Sequence, residues 1–139
     1  MSEQPTVGEM MSRDVAVLRA NDALTIADDV MNLGRIRHMP VVEDDDETVL
    51  VGIVSQRDLF RGALSRLLGY GEHAQSKLMA TALVKEAMST PVLTAHAAMP
   101  ASEAAQRMLE NKVGCLVVIE EDRLVGIVTE ADFVKLALE

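Results

Sequence analysis

The chain has 139 residues, 49% of them hydrophobic and 25% charged, a balance that belongs to globular proteins and fits one compact unit or two small halves sharing a core. A net charge of −9 argues against DNA as a partner, since counterion release needs the opposite sign, and 2% aromatic content with no Trp leaves little to stack single-stranded bases on. No apolar run nears 18 residues and no apolar leader follows Met1, so neither a membrane span nor export is expected; the lone Cys115 fits a reducing compartment, with the cytoplasm as the default.

In chain order, VAVL (15–18) is the first expected strand. A helix follows, with Leu24, Ala27 and Met31 on one face at i, i+3, i+7 spacing and Asn21 as a candidate helix-start residue. MPVV (39–42) reads as a second short strand and the acidic EDDDET (43–48) as a solvated turn. VLVGIV (49–54) makes a third strand whose consecutive apolar residues imply burial on both faces. A last helix starts near Ser55. Residues 63–83 read as a helical connector, broken at Gly69-Tyr70-Gly71. The series then recurs: VLT (92–94), a helix with Ala101, Ala104 and Met108 on one face and Ser102 near its start, LVVI (116–119), a turn at EEDR, LVGIV (124–128), and a helix from Thr129.

The recurrence is a true internal repeat. VGEMMSRDVAVL (7–18) aligns with VKEAMSTPVLTA (84–95) at a spacing of 77, which drops to 74 after the acidic turn because the first copy is three residues longer there. The chain therefore divides into a first repeat over 1–62, the connector over 63–83 and a second repeat over 84–139. A half of roughly 55 residues buries too little surface alone. The expected fold class is α+β: two strand–helix–strand–strand–helix repeats covering each other about a pseudo-twofold axis.

Both copies end on Gly–apolar–apolar–Ser/Thr–x–x–Asp: GIVSQRD (52–58) and GIVTEAD (126–132). One reading is a capping box, with Ser55 and Thr129 accepting a backbone N–H while Asp58 and Asp132 reach back to the cap amide. The other is a ligand site. Gly52 and Gly126 weaken a strand unless something approaches closely, and a strand-to-helix junction gathers free N–H groups and the positive dipole end. A carboxylate there repels phosphate but suits a ribose diol through charge-assisted O–H···O⁻ bonds. Arg37 and His38 before the second strand, with Arg57 inside the motif, supply cations for a phosphate beyond the sugar. The second copy has Gly114, Cys115 and Ala131 at those positions, with Lys112 its nearest base, so a weakly charged or neutral ligand suits it better.

Taken together, EMMSRDV and EAMSTPV at the starts, HMPVVEDD in the middle, and VGIVSQRDL and VGIVTEADF at the ends resemble a tandem pair of CBS (cystathionine-β-synthase-type) domains, the Bateman module, over residues 7–64 and 84–138. The resemblance implies a non-catalytic regulatory sensor that requires no cofactor and binds AMP, ADP, ATP or S-adenosylmethionine in clefts between the repeats. It implies association as a homodimer and output to another, unidentified protein. It places Asp58 and Asp132 on ribose, Ser55 and Thr129 on ribose or phosphate, and Ile36, Arg37, His38, Val113, Gly114 and Cys115 around the adenine. Ala16 and Leu93 complete the apolar sandwich. The alternatives are a ligand-free interaction scaffold of the same fold and, more remotely, an enzyme acting on a nucleotide.

Other features read as structural. Gly69–Ala74 spells GxGxxA but follows a helical pattern instead of a strand. The histidines show no metal-ligand spacing with Cys115 or with acids, the acidic turn lacks the glycine and terminal Glu of a calcium loop, and Cys115 reads as a small buried hydrophobe.

Overall fold

The structure, a computed structural model, describes residues 4–59 and 82–138. Residues 63–81 of the expected connector, with the Gly69–Ala74 motif, lie outside the described residues.

The elements are α1 (Val7–Met10), β1 (Leu18–Arg19), α2 (Leu24–Gly34), β2 (His38–Glu43), β3 (Asp46–Ser55), α3 (Val84–Ala87), β4 (Thr94–Ala95), α4 (Ala101–Asn111), β5 (Cys115–Glu120), β6 (Arg123–Thr129) and α5 (Glu130–Leu138). Residues 56–59, after β3, are also helical. The expected strand–helix–strand–strand–helix order stands in both copies, preceded each time by a one-turn helix, α1 or α3, too short to leave a periodic signal. The first strands are shorter than VAVL and VLT and lie later in sequence.

Each copy builds one three-stranded sheet, in the orders β1-β2-β3 and β4-β5-β6. The first pair in each is parallel (Leu18↔Val41; Thr94↔Val117) and the second antiparallel (Val41↔Gly52; Val118↔Gly126). Burial on both faces, expected of the third strands, holds at Gly126–Val128 of β6 but not along β3, and it is fullest in the middle strands. Met39, Pro40, Val41 and Val42 of β2 and Cys115, Leu116, Val117 and Val118 of β5 are buried, because strands flank them on both sides.

The helices bury the expected stripes: Leu24, Ala27 and Met31 of α2, and Ala101, Ala104 and Met108 of α4. Their starts differ from expectation. The N-caps are Ala23 and Pro100, neither with a side-chain cap. Asn21 turns instead to the acidic turn, donating to Asp44 from its backbone N–H (3.1 Å) and from its side chain. Ser102 lies inside α4, its N–H held by Gln4 Oε1 at 3.0 Å. Both helices end on a left-handed residue, Arg35 (φ 53°) and Lys112 (φ 54°), at the position where glycine is favoured. A cation at that end complements the helix dipole.

The chain forms two compact units, Ala16–Pro91 and Met1–Val15 with Val92–Glu139. Repeat and compact unit are thus different divisions of the chain. In one unit α3 docks on the sheet of β1–β3: Val84 N–H donates to Asp22 O (2.8 Å), Lys85 N–H to Ala20 O (3.0 Å), and Ser89 and Ile53 exchange backbone bonds at 2.8 and 3.1 Å. In the other, α1 docks on the sheet of β4–β6 through the homologous atoms. Val7 N–H donates to Met99 O (2.8 Å), Gly8 N–H to Ala97 O (2.8 Å), and Ser12 and Ile127 exchange bonds at 2.9 and 3.0 Å. Val84 and Val7 are fully buried in the respective cores. The opening turn of each repeat thus completes the unit that holds the other repeat's sheet.

Candidate functional site

The motif aspartates sit where β3 and β6 run into helix. In the first copy the capping box is complete: Ser55 N–H donates to Asp58 Oδ2 (2.7 Å) and Asp58 N–H to Ser55 Oγ (3.1 Å). Asp58 Oδ1 additionally accepts a long bond, 3.3 Å, from the Ser89 hydroxyl. In the second copy Thr129 N–H donates to Asp132 Oδ2 at 2.8 Å and the Thr129 hydroxyl approaches the same oxygen at 3.5 Å. Capping therefore occupies one carboxylate oxygen in each motif. Asp132 is 8% exposed, and its Oδ1 has no hydrogen-bond partner among the described residues.

The pocket residues expected on the adenine side come to the same junctions. His38 pairs with Ser55 across β2 and β3, and Gln56 N–H donates to Arg37 O at 2.8 Å. Cys115 pairs with Thr129 across β5 and β6, and Glu130 N–H donates to Gly114 O at 3.2 Å. Ile36 and Val113, half-buried, pack on the two cores. Ala16 and Leu93 precede β1 and β4 and pack on the same cores; Leu93 O accepts from Val117 N at 3.2 Å. Arg37 and Arg57 are exposed, Ser55 and Asp58 half-buried.

Two expectations change. Gly52 and Gly126 allow a ligand or backbone to approach closely; the space is taken by methionines of the docked turns and, at Gly126, also by the Ser12 carbonyl. A Cβ on Gly52 would stand 2.4 Å from Met88 Sδ, and one on Gly126 2.5 Å from Met11 Sδ and 3.0 Å from Ser12 O. The acidic turn is also more than a solvated tip. Arg19 pairs with Glu47 at 2.7 Å and donates to Asp44 O, while the Asn21 side chain and backbone N–H hold the Asp44 carboxyl below its usual 3.8. Cys115 is buried as expected, and loss of solvation pushes its thiol up to about 12.

Sequence reasoning missed two groups. Ser89 reaches Asp58 from the other repeat's opening segment, and a cavity of about 250 Å³ beside Asp132 is lined by Pro5, Glu9, Met10, Lys135 and Leu136. The 132, 135, 136 spacing marks one face of a helix, but nothing local in the sequence sets that face against α1. Among the described residues no helix is long and apolar enough to cross a membrane, and no group of three or more His, Cys, Asp or Glu could hold a metal.

The CBS domain pattern matches residues 7–65 and 84–139, the two repeats with the glycine–Ser/Thr–Asp junctions at their ends. The chain belongs to the CBS domain family. It is similar over 98% of its length to a Vibrio cholerae crystal structure assigned to acetoin utilization (AcuB), at 34% identity, 92% coverage of that chain and a TM-score of 0.81. A structure of CBSX2 in complex with AMP is 27% identical, with 96% of each chain covered and a TM-score of 0.77. A CBS domain-containing protein of Dictyostelium discoideum is 28% identical over 96% of this chain and 91% of its own. Enzymes also match, over a small part of their length: the CBS pair spans 24% of a Methanohalobium evestigatum homoserine O-acetyltransferase and 22% of a Methanocaldococcus jannaschii inosine-5'-monophosphate dehydrogenase.

Proposed function

We propose that this CBS pair is a non-catalytic regulatory module that binds adenosine-containing ligands (AMP, ADP, ATP or S-adenosylmethionine) and acts as a sensor. The observation that carries the reading is the division of labour on each motif acid. One oxygen caps the helix, and the other has no partner among the described residues on Asp132 or is only weakly held on Asp58. A ribose hydroxyl donating to that second oxygen leaves the cap intact. Around Asp58, Arg37 and Arg57 suit a phosphate. The AMP held by CBSX2, at 27% identity over almost the whole of both chains, supports the same ligand class. A ligand shifts an equilibrium only by its differential affinity for two states. We therefore assign the output to a change in a homodimer or in docking to a downstream protein, in the cytoplasm.

A second reading has its own observation: in each motif the aspartate already accepts the Ser55 or Thr129 N–H within the protein, which is what an interaction scaffold of this fold needs. Thermal melting against AMP, ADP, ATP, NADH and S-adenosylmethionine separates the two. A ligand at 100 times its dissociation constant adds about 2.7 kcal/mol, on the order of 5–10 °C here. No shift with any of them supports the scaffold, and breakdown of a bound nucleotide during incubation supports an enzyme.

A further inference from the structure

The cavity beside Asp132 gathers three charged side chains. Asp132 is nine-tenths buried, with Oδ1 unpartnered among the described residues, and Glu9 of α1 and Lys135 of α5 stand around the same space. Among the described residues neither Glu9 nor Lys135 forms an ion pair with another side chain. The cavity thus presents two carboxylates and one ammonium that do not neutralise one another. At the homologous position in the other copy, Glu86 is already used, accepting the Leu83 N–H at 2.9 Å. The arginines and histidine of the first copy are replaced here by Gly114, Cys115 and Ala131.

We propose, resting on the adenosine reading above, that the second repeat's cavity selects an adenosine ligand whose 5′ tail is cationic or zwitterionic and discriminates against phosphate tails. Asp132 receives the ribose hydroxyls, Glu9 an ammonium on the tail, and Lys135 a tail carboxylate. A phosphate chain in the same place meets two like charges against one opposite charge, and such like-charge placement is how sites reject wrong partners. The volume, about 250 Å³, leaves room for a sugar and a short substituent. The first repeat's site, with Arg37 and Arg57 exposed beside Asp58, takes the phosphorylated ligands.

Isothermal titration of the full chain with S-adenosylmethionine, 5′-methylthioadenosine and AMP tests this. S-adenosylmethionine is expected to bind a site abolished by Asp132→Ala, and Glu9→Gln to weaken it about tenfold while leaving AMP affinity unchanged. 5′-Methylthioadenosine, with no charged tail, is expected to be indifferent to Glu9→Gln. Glu9 is exposed, so this variant folds even where Asp132→Ala does not; melting curves confirm it. Unchanged S-adenosylmethionine affinity in Glu9→Gln overturns the proposal, as does AMP binding at the Asp132-dependent site as tightly as S-adenosylmethionine. If AMP binds in an Asp58-dependent way and S-adenosylmethionine shows no Glu9 dependence, only this selectivity falls. If none of the three binds, the adenosine reading falls with it.

Discussion

Asp58 carries two separable roles on two oxygens, and substitutions can divide them. Asp58→Ala removes the acceptor for the Ser55 N–H and should cost about 0.5–2 kcal/mol of stability. It should also lower AMP affinity by about 1.5–3 kcal/mol, read by titration calorimetry. Asp58→Asn keeps an acceptor for the cap and should melt near wild type. It should lose about half as much affinity, because neutral hydrogen bonds are roughly half as strong as charge-assisted ones. Early melting of the alanine variant with unchanged binding in both would leave Asp58 a capping residue alone. Cys115 gives a pH prediction. Its thiol is raised from 9.0 to about 12 by burial, so above pH 9 the unfolded chain releases a proton that the folded chain keeps. This contribution to stability, complete below pH 9, should fall by about 1.4 kcal/mol per pH unit between about 9 and 12. Urea melts of wild type and Cys115→Ala over that range should converge as pH rises. The capping roles of the aspartates were legible in sequence because they span three residues. The Asn21–Asp44 and Ser89–Asp58 bonds were not, since their partners are brought together only by the fold.

The best-read elements are the longest amphipathic ones. Leu24, Ala27 and Met31, like Ala101, Ala104 and Met108, are buried as their spacing predicts, because one helix face is decided by a period that sequence displays directly. The four-residue helices α1 and α3 show no period, and their docking is set by backbone bonds to distant carbonyls. That docking explains the strand glycines. Gly52 and Gly126 lie directly after the extra residues, Val51 and Val125, at the register irregularities in β2–β3 and β5–β6, each under a methionine. Alanine at either position overpacks the contact, typically a cost of about 1–3 kcal/mol. Gly126→Ala should be the more damaging in chemical denaturation, because its Cβ also meets the Ser12 carbonyl oxygen at 3.0 Å, whereas at Gly52 the three nearest atoms all belong to the Met88 side chain. Adding Met88→Ala to Gly52→Ala should recover part of the loss, and Met11→Ala less of it for Gly126→Ala.

For the whole molecule, a search for the smallest folding piece should follow the compact units and not the repeats. Residues 16–91 contain β1, α2, β2, β3 and the α3 turn that docks on them. Residues 1–62 lack α3, and residues 84–139 lack α1, so each loses a fully buried valine, Val84 or Val7. Circular dichroism melts should show a more cooperative transition for 16–91 than for 1–62. Adding a peptide of residues 4–15 to 84–139 should raise the melting temperature of that piece. The repeat itself was plain in sequence from the 77-residue spacing, but the spacing is blind to which copy a turn packs against: Val7 and Val84 are equivalent in alignment and exchanged in space. The α1 and α3 exchange also limits how such proteins can be recombined. A chimaera that replaced residues 84–139 with the matching half of another CBS protein would put a foreign turn on the native sheet and a native turn on the foreign one. Both cores would be mismatched by a single crossover, so the coherent module for shuffling is the pair.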